Sequence, residues 1–272
     1  MIKVLTIAGS DSCGGAGIQA DLKTFSALGT YGMSVITAVT AQNTRGVYNV
    51  RELDPEIVRD QINAVFEDIK VDAVKIGMVS NAAIIAVIAE SLLRHKAQKI
   101  VLDPVMISKS GCNLLQPQAR DALIKELLPL AEVVTPNLLE AETIIGEKIS
   151  TLPAMEKAAV AIKSLGANNV AVKGGHLEGD AVDVLYDGNT FRHFASGRIP
   201  TAHTHGTGCT FSSAIAAFLA KGHPVEEAVA GAKEYISGAI AHAFPLGQGV
   251  GPTHHFYRFY SNSDGINGGG ER

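Results

Sequence analysis

The sequence predicts a single α/β domain, with a mostly parallel central β-sheet and helices on both faces. Three observations carry this expectation. Apolar strand-like runs alternate with amphipathic helical runs from end to end. Hydrophobic residues make up 46% of the 272 residues and aromatics only 6%, so aliphatic side chains must fill the core, as they do when a sheet is buried on both faces. No domain-scale linker or repeat interrupts the alternation, so residues 1–260 are expected to form one domain. Residues 261–272 are polar and glycine-rich and read as a disordered tail.

Bulk properties exclude several classes. The formal net charge is −4 and no basic block appears, which argues against nucleic acid or an anionic membrane as partner. No apolar run reaches spanning length, and the opening MIKVLTIAGS is too short for a signal sequence. Cys13, Cys112 and Cys209 are odd in number and far apart, against a disulfide framework. A reduced, cytoplasmic protein is expected.

Lys3 to Ala8 reads as a buried strand that runs into GSDSCGGAG, Gly9 to Gly17. The glycines there allow positive φ and a close approach of backbone to ligand. The loop lacks the GxGxxG order of a dinucleotide site. A helix follows over Ile18 to Leu28, with Asp21 early in it and able to point at the loop. Met33 to Ala41 reads as one apolar strand ending at Gln42. A carboxamide at a strand end can match the ring nitrogen and amino group of an aminopyrimidine, although such a residue more often bonds to backbone.

Gly46 to Leu53 reads as a short strand within a flap. Asp54 to Ile69 reads as a helix capped by Asp54, with Pro55 at its first position. Ala73 to Ile76 leads to Gly77 and Met78, and Ser80 opens a helix to about His95. The strand from Lys99 to Leu102 ends at Asp103, before a loop carrying Lys109, Ser110 and Gly111; no chemistry falls to Cys112. A helix spans Gln116 to Leu128, and Glu132 to Thr135 forms a strand. In TPNLLEAE, Asn137 caps the next helix, with Glu140 and Glu142 in its first turns. Capping and a role facing a ligand both fit that run.

After a helix over Ala154 to Leu165, Asn169 to Val172 ends in Lys173-Gly174-Gly175-His176, a candidate contact to a nucleotide phosphate or to its adenine side. Asp180 to Tyr186 and Thr190 to Phe194 form a hairpin around Asp187-Gly188. The most informative stretch is THGTGCTFSSAIAAFLAKG, Thr204 to Gly222, a glycine turn opening a helix. Free N–H groups and the positive end of a helix dipole meet at Gly206, Thr207 and Gly208, which suits an anion. A Cys209 thiol there is expected to lose its proton more easily than a free cysteine, near about 8.5. The plain alternative is a connection ahead of a core helix. Pro224 opens a last helix to about His242 that carries Lys233, and GVGPTHHF reads as a terminal loop.

The motifs GSDSCGGAGIQADLKTF, TAQNTRGV, KIGM, DPVM, TPNLLEAE, VKGGH, THGTGCTFS and GVGPTHHF occur together and in order. In this the chain resembles the hydroxymethylpyrimidine/phosphomethylpyrimidine kinases of thiamine biosynthesis, within the ribokinase-like superfamily, over about Lys3 to Phe256. The resemblance implies a ribokinase-like fold and ATP-dependent, Mg²⁺-dependent phosphorylation of 4-amino-5-hydroxymethyl-2-methylpyrimidine (HMP), then of its monophosphate, in a homodimer. By position it implies Gln42 as reader of the aminopyrimidine edge, Gly9 and Asp21 on the substrate side, and Met78 and Val105 as pocket walls. It also implies Asn137, Lys173 and Lys233 on the ATP side; Asp103, read from its strand end, joins them, and Glu140 is the candidate that orders Mg²⁺-bound water. Gly206, Thr207 and Gly208 become the anion hole and Cys209 the base.

Cysteine at position 209, where sugar kinases of the superfamily usually carry aspartate, is shared with some bacterial pyridoxal kinases, so pyridoxal or pyridoxine phosphorylation is the alternative. Competing readings are weaker. A cysteine nucleophile could be assisted by His203 or His205, and His203, His205 and Cys209 lack a fourth ligand for structural zinc. A nucleotide- or vitamin-binding regulator would keep the fold without catalysis.

Overall fold

The computed structural model describes residues 1–106, 115–175 and 180–260. Lys109, Ser110, Gly111, Cys112, His176 and the expected tail lie outside the described residues.

Among the described residues ten strands and eight α-helices follow in chain order. They are β1 (Lys3–Ala8), α1 (Gly17–Ala27), β2 (Tyr31–Ile36), β3 (Ala38–Asn43), β4 (Gly46–Glu52), α2 (Pro55–Asp68), β5 (Ala73–Ile76), α3 (Ala82–Arg94), β6 (Ile100–Leu102) and α4 (Pro117–Ala122). Then come β7 (Val133–Val134), α5 (Leu138–Ile145), α6 (Leu152–Ser164), β8 (Val170–Val172), β9 (Ala181–Tyr186), β10 (Phe191–Ser196), α7 (Thr207–Ala220) and α8 (Val225–Ala241). The main sheet runs β10-β9-β8-β7-β6-β5-β1-β2. It is parallel from β8 to β2, and the β9–β10 hairpin closes one edge antiparallel.

Alternation along each strand explains the continuous apolar runs. Leu5, Val74, Leu102 and Val134 face one core, built with α2, α3, α5 and α6. Their neighbours Val4, Ala73, Val101 and Val133 face the other, built with α1, α7 and α8. Three layers result, as expected.

Three expectations about elements change. The apolar run from Met33 is two strands: Thr37 turns the chain, donating its hydroxyl to the Met78 carbonyl at 2.8 Å, and β3 leaves the main sheet to pair with β4. Gln42 therefore sits near the end of a strand of a two-stranded flap, at a register shift, and not at the end of a main-sheet strand. Asp54 begins α2 without a side-chain cap, whereas Asn81 does cap α3 by accepting from Ile84 N at 2.9 Å. The helix after Pro117 widens into a π turn at Leu123–Leu127 and tightens at Leu128–Leu130.

The terminal GVGPTHHF segment is no surface loop: Thr253, His254 and His255 are buried. His255 Nε2 lies 3.0 Å from the Thr210 hydroxyl on α7, and Tyr235 on α8 donates to the His255 carbonyl at 2.7 Å. Among the described residues no helix is long and apolar enough to cross a membrane.

Candidate active site

The parallel strands aim their C-terminal ends at one cavity of about 570 Å³. β1 delivers Gly9, β5 Met78, β6 Asp103 and Val105, β7 Asn137 and β8 Lys173; the flap brings Gln42 and α8 brings Lys233. Gly206, Thr207, Gly208 and Cys209 line the same cavity, as does Glu140. The sheet order places β8 four strands from β1, about 19 Å at 4.8 Å per strand. α7 packs over β1, β5 and β6, so its N-terminus stands between the two ends.

The turn at α7 is forced by its neighbours. Gly206 caps the helix at φ 79°, a left-handed conformation, and a Cβ there would strike the Gly15 carbonyl. Gly208 faces a lysine and a carboxylate: a Cβ on it would lie 3.3 Å from Lys173 Nζ and 3.6 Å from Asp103 Oδ2. Thr207 N, the first amide of the helix, donates to the Thr204 carbonyl at 3.4 Å, while those of Gly208 and Cys209 have no partner within the helix by their position, which leaves them for an anion.

Cys209 differs from expectation. Burial pushes its thiol up to about 11. The Lys75 ammonium and the Gly17 amide pull it down, but Asp21 and Asp103 oppose them. The positive helix end loses to desolvation and two carboxylates.

Asp21 is the second correction. It is fully buried and does not line the cavity. Both its oxygens accept from Lys75 Nζ, at 2.9 and 3.0 Å, and it also accepts from the Thr6 and Ser213 hydroxyls at 2.6 Å each. It anchors β1, β5, α1 and α7 together beneath the site. Burial acts to push the Lys75 ammonium down, and Asp21 outweighs it, so Lys75 stays charged well above the ordinary lysine range.

At the β7–β8 end, charges are already paired. Asp103 Oδ1 accepts from Lys173 Nζ at 2.8 Å and from the Thr135 hydroxyl at 3.2 Å. Glu140 Oε2 lies 4.0 Å from Lys173 Nζ. Asn137 and Glu140 form a reciprocal capping box, with Asn137 Oδ1 accepting from Glu140 N at 2.9 Å and Glu140 Oε2 accepting from Asn137 N at 2.8 Å. Capping thus uses the Asn137 side-chain oxygen, while the residue still lines the cavity. Burial raises Glu140 to about 7, against the pull of Lys173 and with a further push from Asp103. Lys233 donates to Asp183 Oδ2 and to the Ala181 carbonyl, each at 2.8 Å.

At the β1 end the contacts are mostly neutral. A Cβ on Gly9 would come within 2.9 Å of the Met78 sulfur. Asp11 ties the glycine loop into a knot: its carboxylate accepts from Cys13 N and Gly15 N at 3.0 Å, Ala16 N at 2.8 Å and His205 Nε2 at 2.8 Å. Burial acts to raise Asp11, yet these bonds, His205 foremost, hold it at about 2. Sequence reasoning missed Asp11, Asp183 and the His205 contact. The signal was present for Asp11, an acid opening a run of small residues that an Asx turn would use.

His203 and Cys209 do not join His205 around a metal. Among the described residues, the side chains whose ligand atoms cluster within 4.8 Å are Asp11, Cys13 and His205. Hydrogen bonds to the glycine loop already occupy the Asp11 carboxylate there.

The sequence profile of the phosphomethylpyrimidine kinase family matches residues 11–254. The chain is 57% identical over 262 residues to the hydroxymethylpyrimidine/phosphomethylpyrimidine kinase of Rhizobium meliloti, covering 95% of this chain and 98% of that one. It spans about half, 52%, of a bifunctional thiamine biosynthesis protein of Geobacter sulfurreducens, at 54% identity and 93% coverage of this chain. A crystal structure of phosphomethylpyrimidine kinase from Clostridium difficile superposes with a TM-score of 0.79 at 54% identity, covering 88% of this chain and 100% of that one. An ADP complex of Bacillus subtilis pyridoxal kinase superposes with a TM-score of 0.89 at 45% identity, covering 96% and 100%. With its ribokinase-like fold and this match along nearly its whole length, the chain belongs to the phosphomethylpyrimidine kinase family of thiamine-biosynthetic kinases.

Proposed function

We propose that the cavity binds HMP at its β1 and flap end and ATP at its β7–β8 end, with the Gly206–Cys209 turn between them. The observation that carries this is the central position of that turn, an anion site with a thiol, on a cavity whose two ends differ in chemistry. The chain phosphorylates HMP and then its monophosphate, as its family does. Gln42 offers the donor and acceptor for the aminopyrimidine edge, while Gly9, Met78 and Val105 give the ring a narrow wall. Asn137, Lys173, Lys233 and Asp103 serve the nucleotide.

Among the described residues at the nucleotide end, three cations stand against three acids: Lys173, Lys233 and Arg198 against Asp103, Glu140 and Asp183. This cluster has no positive excess to offset a triphosphate. Two carboxylates facing the cavity around one lysine are hard oxygen donors that fit Mg²⁺ reached through water. When bound, Mg²⁺ offsets phosphate charge.

The turn amides of Gly206 to Cys209 stabilise charge on the transferring phosphoryl group. In the first step Cys209 accepts the proton of the HMP hydroxyl as that oxygen attacks phosphorus. A thiol near about 11 is almost wholly protonated at neutral pH, so only a small fraction of enzyme holds the base form before substrate arrives. In the second step the attacking group is an ionised phosphate that needs no base.

The likeness to the Bacillus subtilis pyridoxal kinase supports a second activity toward pyridoxal. An ATP-coupled assay with HMP, HMP phosphate and pyridoxal tests both, and turnover of pyridoxal alone would sink the first. Exposed Tyr31, Val39, Tyr48 and Ile57 on β2, the flap and α2 support a homodimer, checked by sedimentation; a monomer at micromolar concentration would exclude it. A cytoplasmic location fits a kinase that draws on ATP, and fractionation of cells checks it; recovery of the protein in a secreted or membrane fraction would rule it out.

A further inference from the structure

Gln42 touches two groups whose own protons are already committed. His205 Nε2 lies 2.8 Å from Asp11 Oδ2, and a carboxylate held ionised only accepts, so the His205 Nε2 carries its proton and donates it there. The Thr40 hydroxyl donates its single proton to the Ser10 carbonyl at 2.8 Å, which leaves its oxygen as an acceptor toward other neighbours.

The Gln42 carboxamide sits 3.4 Å from each, with Nε2 toward His205 Nε2 and Oε1 toward Thr40 Oγ1. That orientation sets donor against donor and acceptor against acceptor. A 180° turn of the amide exchanges oxygen and nitrogen: the nitrogen then donates to Thr40 Oγ1, and the oxygen faces the His205 N–H, whose proton stays with Asp11, without a donor–donor clash.

We infer that the Asp11–His205 and Ser10–Thr40 pairs are positioning elements that fix the Gln42 amide with its oxygen toward His205 and its nitrogen toward Thr40. This rests on the role of Gln42 given above. The fixed amide orders what it offers a ring: an acceptor on the His205 side and a donor on the Thr40 side. An aminopyrimidine then docks with its amino group toward His205 and its ring nitrogen toward Thr40. In HMP the amino group is on the carbon next to the one bearing the hydroxymethyl group. His205 is bonded to Gly206, the first residue of the anion turn. The fixed amide thus carries the hydroxyl toward Cys209, and the turned amide would carry it away. His205 and Asp11 act through Gln42.

The test compares HMP with its 4-oxo counterpart, which presents an acceptor and an N–H in the inverted order. Wild type should prefer HMP by about 100-fold or more in kcat/KM, because the wrong edge leaves buried polar groups unpaired. His205→Leu and Thr40→Val should each lower that ratio by about tenfold, in part by raising kcat/KM for the oxo compound. Equal losses on both substrates, with the ratio kept, would overturn the inference and reduce the two residues to support of the fold. Should His205→Leu fail to fold, Thr40→Val decides alone. Gln42→Met separates the two levels. If it abolishes the ratio while His205→Leu and Thr40→Val leave it intact, only the positioning inference fails. If the ratio survives in Gln42→Met, Gln42 is not the reader and the role proposed for it falls first.

Discussion

The two ends of the cavity solve opposite problems. On the proposed function the β1 end must recognise a neutral ring, and beside the Asp11–His205 pair the wall offers one carboxamide, a thioether and close backbone, with direction supplied by hydrogen bonds. On the same proposal the β7–β8 end must hold a polyphosphate, and the wall offers Lys173, Lys233 and Arg198. A buried lysine cannot wait unpaired, because an isolated charge out of water is costly. Lys173 therefore rests on Asp103, and Lys233 on Asp183. The neutral end can be complete before its ligand arrives. The charged end must exchange partners when its ligand binds, which is where an accompanying cation matters. Between them Cys209 belongs to neither: its thiol is governed by the Lys75–Asp21 pair below the floor as well as by Asp103.

The largest effect should come where the ends meet. Cys209→Ala is expected to lower the first phosphorylation about 1000-fold and the second less than about tenfold, since loss of a general base typically costs 10²–10⁴. Steady-state rates on HMP and on HMP phosphate measure both. The pH profile sharpens the point. With the thiol near about 11, the first step in wild type should climb with pH from 7 to 9, by about tenfold per unit, as the thiolate fraction grows. The second step should stay comparatively flat. Equal losses in both steps would make Cys209 a positioning group.

Next in size is a crossed pair of variants that asks whether the ends are separate. Lys173→Met should raise the KM for ATP by about 100-fold and leave the KM for HMP within about twofold. It strands Asp103 without its cation, so unfolding stability should fall by about 3 kcal/mol in denaturant titrations. Gln42→Met should do the reverse: a higher KM for HMP, little change for ATP, and a stability change below about 1 kcal/mol because the residue is only half-buried on a flap. Either variant moving both KM values would break the division between the two ends.

The order of elements was legible in the sequence because strands buried on two faces read as apolar runs, and helices show their stripe. The split of the Met33–Ala41 run was not. β2 and β3 are both apolar, and Thr37 leaves the sheet through a hydrogen bond to Met78, 41 residues on. The positions of Gly206, Cys209, Gln42 and Lys173 could be placed from turns and strand ends. The state of Cys209 could not, because Lys75, Asp21 and Asp103 come from three other elements. Asp21 is the same lesson inverted: an acid near a glycine loop looks like a ligand group until Lys75, 54 residues away, is seen to hold both its oxygens. Local chemistry reads from the chain, and long-range electrostatics does not.

The smallest effect concerns Glu140 and distinguishes the charged end by its response to pH. Burial, with Asp103 adding and Lys173 opposing, raises this carboxyl to about 7. A proton there must leave before the carboxylate can face a cation. Affinity for Mg²⁺-ATP, measured by calorimetry, should therefore rise as pH climbs from 6 to 8, by less than about tenfold. Glu140→Gln should flatten the rise. Stability should move the other way. An acid that keeps its proton above its ordinary 4.5 favours the folded state fully below that value and loses the benefit as pH rises through about 7. Wild type should then lose stability relative to Glu140→Gln across that window in thermal unfolding, while Gln42→Met shows the same slope as wild type. A Mg²⁺-ATP affinity that does not change between pH 6 and 8 would mean that Glu140 is ionised throughout by Lys173. The charged end would then carry one more negative charge in the free enzyme, and its need for a cation would be greater.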